Sequence, residues 1–326
     1  LPAPAFPRPP PPMNPEERSS AELGLGETIA GLDVHRLGHE AMATVFEVIY
    51  AHEDGGYARQ AAQAAFDLVD RLELELSRFI ASSDVSRVNA LARGRATRVS
   101  PETMECLEIS RRMYSLTGGA FDISIGTGLE TLELVPDGFV VRARQDGVRL
   151  DLGGIGKGYA VDRMAELLDE WGIHRALLHG GFSSVLALDA PPGRGGWPLT
   201  LTMPGAAGDG SRIRISARQM ALSASGTRKG AHIRDPRTGR PVQDRAAWAV
   251  LTRPGGTDED ANENWRDAVR SPATVADALS TAFMILPVEG IGDLCRRIPG
   301  LEAWVVRDGG AEATPLHLGP GRARGG

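Results

Sequence analysis

The stretch Ser271–Pro287, SPATVADALSTAFMILP, constrains this chain more than any other. Val275, Leu279, Ala282 and Leu286 recur at spacings of four, three and four, which predicts an amphipathic helix with one apolar stripe. Asp277 and Thr281 stand four apart and share a different face of that helix. A carboxylate beside a hydroxyl offers hard oxygen donors of the kind that bind Mg²⁺. The same pair could equally belong to a solvated face, and the spacing alone leaves both readings open.

Three further blocks lie upstream. TGGAFDISIG runs over 117–126, LDLGGIGKGYAVD over 150–162 and SGTRKGAHIRDPRTGRP over 225–241. In the second, glycines precede and enter a helix start, where backbone can approach a ligand closely and free N–H groups point outward. With Lys157 nearby, that start would suit a pyrophosphate. The spacing is not the dinucleotide fingerprint, and no βαβ unit surrounds it. A plain turn is the other reading. GAFD likewise reads as a core Phe121 beside a capping Asp122, and His232 as a structural histidine near a strand.

Taken in order, the four blocks resemble the ApbE family, the FAD:protein FMN transferases, over about three quarters of the chain from Met42 to Pro287. The resemblance implies an α+β fold of mixed or antiparallel sheets packed with helices. It implies flavin-nucleotide contacts at Met42, Phe79, Ala120, Phe121, Asp122, Asp151, Lys157 and Ile233. It implies a metal held by the Gly154 carbonyl, Asp277 and Thr281, and makes His232 a candidate base. The implied reaction is Mg²⁺-dependent transfer of FMN from FAD to a Ser or Thr hydroxyl of an acceptor protein, with release of AMP. A metal-dependent FAD pyrophosphatase would use the same residues, and a non-catalytic flavin-binding protein would keep the fold alone.

The chain departs from the family pattern in places. Phe79 stands where relatives often carry Tyr, which keeps ring stacking and loses a hydroxyl. Gly180-Gly181-Phe182 replaces a GGD, and Ser280 replaces a second acid before the threonine. The segment 123–149 is shorter than the insert many relatives carry, so that part of the pocket is expected to be simpler.

Local patterns fill in the rest. Ala58, Ala62, Ala65, Val69, Leu72 and Leu76 predict a long helix; Ser100-Pro101-Glu102 starts a second and Gly118-Gly119 ends it. A third is expected over 158–171. Strands are expected near 44–50, 139–142, 148–152, 176–179, 184–188, 199–203, 212–215, 219–223, 247–252 and 302–307. Strands that follow one another through short turns argue against a doubly wound parallel sheet.

The 326 residues, 42% hydrophobic, suffice for a substantial core. A catalytic domain is expected over 32–318, between a disordered Pro-rich tail at 1–31 and a short disordered tail at 319–326. The acidic segment 257–267 reads as a solvated insertion. A net charge of −6 without a basic stripe argues against nucleic acid as a partner. Cys106 and Cys295, far apart beside apolar neighbours, read as buried thiols. No apolar run is long enough for a transmembrane helix. Members of the family are often exported or lipid-anchored. This sequence shows no signal core or lipobox, so a cytoplasmic or a processed periplasmic protein is expected.

Overall fold

A computed structural model describes residues 34–181, 183–202, 212–226, 233–243, 245–252, 266–307 and 315–319. The expected tail 1–31, all but Gly319 of the expected tail 319–326, and most of the acidic segment lie outside the described residues, as do Phe182 and His232.

The described residues open with β1 (Val34–Ala41) and β2 (Thr44–Ala51), an antiparallel hairpin in which Ala41 pairs with Thr44. Its two-residue loop, Met42-Ala43, has φ of 50° and 56° at two non-glycine residues. Hairpin turns of this length favour that hand, but a side chain there costs about 1–2 kcal/mol per residue. Helix α1 (Gly55–Leu76) follows, capped by Asp54 on the Tyr57 amide. All six residues of its expected stripe are buried. A short α2 (Asp84–Asn89), β3 (Ala96–Arg98) and α3 (Pro101–Leu116) come next, α3 starting at the expected Ser100 cap.

β4 (Leu132–Val135) and β5 (Val140–Ala143) complete a small three-stranded sheet with β3. The strand expected at 148–152 is an extended segment instead. Both the Leu150 amide and its carbonyl bond to the side chain of Asn89, which takes the place of a partner strand. Helix α4 spans Gly156–Glu170.

The main sheet then builds through β6 (Ala176–Gly180), β7 (Ser184–Ala187), β10 (Met220–Gly226), β11 (Arg245–Thr252), β12 (Leu301–Arg307) and β13 (Leu316–Leu318). The β8–β9 hairpin (Trp197–Thr202, Arg212–Ala217) interrupts this run. The spatial order is β1-β2-β6-β7-β10-β11-β12-β13, with every neighbouring pair antiparallel. Between β11 and β12 lie α5 (Arg266–Arg270), α6 (Pro272–Phe283) and α7 (Val288–Arg297). The expected helix 271–287 therefore stops at Phe283 and turns into α7.

Strand alternation sorts the side chains between two cores. Phe46, Val48, Leu178, Leu186, Ala221, Ala247 and Ala249 face the helical layer of α1, α4 and α6. Ile49, Leu177, Val185, Leu222, Trp248 and Trp304 face the other way, onto Trp197, Leu199 and Leu201 of β8. Cys106 and Cys295 are free and buried, and burial pushes their thiols up to about 12 and about 11. Among the described residues no helix is long and apolar enough to cross a membrane.

Candidate functional site

Helix α6 lies between the main sheet and α4, and its polar face is not solvated. Asp277 is 3% exposed. Its Oδ2 accepts from the Gly158 amide at 3.0 Å and lies 3.6 Å from Lys157 Nζ. Its Oδ1 accepts from the Ser223 hydroxyl at 2.9 Å. Ser223 and Ser225 alternate on the face of β10 that meets α6. Ser280 stands 2.9 Å from Ser225 and also donates to the Asp277 carbonyl, so position 280 points into the sheet.

One turn beyond Asp277, Thr281 stands at the open edge. Its hydroxyl makes only long contacts, 3.3 Å to the Asp277 carbonyl and 3.4 Å to Ser225. Gly154 comes up against it: a Cβ there would meet Thr281 Oγ1 at 3.1 Å and the Phe121 ring at 3.5 Å. Glycine at 154 therefore lets backbone, rather than a side chain, face the threonine. The fold thus gathers Gly154, Lys157, Asp277, Thr281 and Phe121, which come from three separate sequence blocks. Among the described residues no group of three or more His, Cys, Asp and Glu could hold a metal. The donors here are one carboxylate, one hydroxyl and backbone, a set that fits a hard cation retaining waters, as Mg²⁺ does.

The amides at the start of α4 are less free than the glycine pattern implies. Gly153 donates to Asp151, Ile155 and Gly156 to the Leu152 carbonyl, and Gly158 to Asp277. The positive helix end and Lys157 already face a carboxylate. A pyrophosphate would meet the Asp277 charge there unless a cation lay between them.

Asp151 is held 2.9 Å from Arg78 Nε, and its amide donates to the Ile123 carbonyl. The Arg78 guanidinium in turn lies over the Phe79 ring, 4.1 Å from its centroid. Phe79 remains 53% exposed, an apolar platform beside the Asp151 loop. Ala120 and Phe121 are buried in the core. The Asp122 carboxylate accepts from the Ser124 amide and hydroxyl and from the Gly126 amide, so it shapes its own loop.

That loop touches the 233–243 turn. A Cβ at Gly126 would sit 2.5 Å from the Pro236 carbonyl. Half-buried Ile233 leads into this turn and packs against the main core. Met42 sits in the strained β1–β2 turn, half-buried against the main core.

Four contributors escaped the sequence reading: Arg78, Gly158, Ser223 and Ser225. The i, i+2 serines of β10 carried a signal, because a polar strand face needs a polar partner.

The architecture is that of an antiparallel α+β protein with an oxygen-donor edge where two helices cross beneath a glycine-rich turn. The chain belongs to the ApbE family, whose family model matches residues 42–138 and 127–305. It is 25% identical over 303 residues to the FAD:protein FMN transferase of Treponema pallidum, covering 78% of this chain and 79% of the relative. It is 23% identical over 289 residues to the protein of the same name from Escherichia coli K12, covering 76% of each. Among solved structures, apo flavinyl transferase ApbE of Pseudomonas stutzeri superposes with a TM-score of 0.71 at 21% identity, over 88% of this chain and 95% of that one. The flavin transferase ApbE of Vibrio cholerae gives 0.72 at 18%, over 87% and 97%. These likenesses establish the fold.

Proposed function

We propose that this protein is a FAD:protein FMN transferase that moves FMN from FAD to a hydroxyl of an acceptor protein and releases AMP. The observation that carries this reading is the edge formed by Asp277, Thr281 and Gly154 beside Lys157, at the start of α4. The names of the relatives support it. So does the oxygen-only character of the donor set, which suits phosphate chemistry.

Asp277, Thr281 and the Gly154 carbonyl would hold Mg²⁺. When bound, the cation offsets charge on the pyrophosphate and on departing AMP. Lys157, 3.6 Å from Asp277, is placed to pair with phosphate oxygens. Phe79 offers a stacking face for the flavin ring, and Arg78 with Asp151 fixes the loop that carries it.

In the transfer, a Ser or Thr hydroxyl oxygen of the acceptor forms a bond to the FMN-side phosphorus. The bond from that phosphorus to the bridging oxygen breaks, and the bridging oxygen leaves with AMP. The hydroxyl proton passes to a base, for which His232 is the candidate.

Product partition tests this. With FAD and Mg²⁺ alone, AMP release is expected to be slow. A cognate acceptor is expected to accelerate it and to gain the mass of FMN, because an enzyme that admitted water freely would consume FAD unproductively. His232→Gln is expected to slow transfer by about 10²–10⁴. Rapid AMP release that no acceptor changes would make the protein a pyrophosphatase.

A further inference from the structure

Helix α6 starts without a cap of its own. Ser271 occupies the cap position, yet its side chain caps no amide. The amides of Ala273 and Thr274 donate instead to Asp162 of α4, at 3.0 and 2.7 Å, and the Thr274 hydroxyl donates to the same carboxylate. The start of α4 also lacks a local side-chain cap, and its Gly158 amide is taken by Asp277 of α6. Each helix therefore supplies the carboxylate that satisfies the other's free N–H groups. Between the two caps the backbones nearly touch, at Gly158 and the Ala273 carbonyl.

We infer that Asp162 is a positioning residue for the Asp277–Thr281 edge: it sets the register of α6 along α4, holding Asp277 against Gly158 and Thr281 against Gly154. The inference rests on reading that edge as the site of FAD and metal. A helix rises about 1.5 Å per residue. Asp277 lies three residues after Thr274, so a slide of α6 by even one residue would break both caps at once.

Among the described residues, the Asp162 carboxylate bonds only to Ala273 and Thr274. It is 2% exposed. From α6 it meets Ala273 and Thr274, and on α4 its charged neighbour is Arg163. Arg163 is engaged by Glu105 of α3 at 3.0 Å and by Glu166 at 2.7 Å, and Tyr159 donates to the same Glu105. Burial, working against the hydrogen bonds from Thr274 and Ala273, pushes the Asp162 carboxyl up to about 7.

The test is hydrogen exchange by mass spectrometry on the full chain carrying Asp162→Asn, with Mn²⁺ binding followed by electron paramagnetic resonance. A peptide spanning 153–160 contains no residue bonded to the Asp162 carboxylate, whose partners are Ala273 and Thr274, but it contains the amide that Asp277 caps. Exchange in that peptide is expected to quicken about tenfold along with 273–281, and Mn²⁺ binding to weaken about tenfold. Faster exchange confined to 273–281, with 153–160 and Mn²⁺ affinity unchanged, would reduce Asp162 to a local cap and overturn the inference. If the Asn variant does not fold, Thr274→Val removes one donor to Asp162 and is expected to shift both readouts the same way by a smaller factor. Unchanged exchange at 153–160 in that variant tells against the proposal. The exchange readout does not depend on flavin chemistry. A wild-type protein that releases no AMP from FAD tells against the reading of the site, while the 153–160 peptide still decides the role of Asp162.

Discussion

Gly158 and Ala273 bring α4 and α6 into close backbone approach: a Cβ at 158 would lie 2.3 Å from the Ala273 carbonyl oxygen and 2.8 Å from the Asp277 Cβ. Neither neighbour is the free end of a flexible chain, so neither can yield. Gly158→Ala is expected to push the helices apart and to destabilise the protein by about 1–3 kcal/mol. Thermal melting would register that loss. FAD turnover is expected to fall further than stability does, because the displaced helix carries Asp277 and Thr281.

Asp277 is the charged member of the donor edge and also caps α4. Asp277→Ala is expected to abolish Mg²⁺-dependent AMP release. It is also expected to lower the melting temperature, since the buried Gly158 amide loses its acceptor, while the Ser223 hydroxyl keeps the Ser183 carbonyl. Thr281→Val removes a neutral oxygen with long contacts only, so it is expected to raise the Mg²⁺ requirement and leave melting nearly unchanged. Full activity in Asp277→Ala would remove the basis for the metal assignment.

Two carboxylates are expected to give opposite pH trends. Burial raises Asp162 from 3.8 to about 7 in the folded protein, so its contribution to stability is greatest below pH 4 and is lost as pH rises toward 7. Glu47 goes the other way. Burial would raise it, but the hydrogen bonds from His179 and Arg36 outweigh that and hold it at about 2. Its contribution is present above about pH 4.5 and is lost as pH falls toward 2. Denaturant titrations at several pH values would show this. Asp162→Asn should flatten the slope between pH 4 and 7, and Glu47→Gln the slope between pH 4.5 and 2.

Phe79, exposed and braced by Arg78, is expected to contribute to flavin affinity through stacking. Phe79→Ala should weaken FAD binding, read by flavin fluorescence quenching, by about 2- to 10-fold, corresponding to about 0.5–1.5 kcal/mol. FMN, which lacks the AMP half, should bind more weakly than FAD to the wild type. Equal affinities would mean that the pyrophosphate and adenine are not recognised.

What the sequence determined by itself was local. The α1 stripe, the Ser100 cap of α3 and most strands were legible, because periodicity and capping act over a few residues. The four blocks, in order, carried the family. The three-residue edge strand β13 was not legible because so brief an element leaves too little pattern, and β1, although eight residues long, carries few apolar residues and is held by its pairing with β2.

The environment of each polar group was decided by tertiary structure alone. An Asp and a Thr four apart look the same on a wet face as on a buried one. Only the packing of α6 between β10 and α4 gives Asp277 its serine and amide partners. Asp162 and Ala273 lie 111 residues apart, and no spacing rule links them. Two helix starts folded against each other without local caps must find acceptors somewhere, because a buried N–H left unpaired is costly. That requirement, which is met only in three dimensions, sets the position of the site.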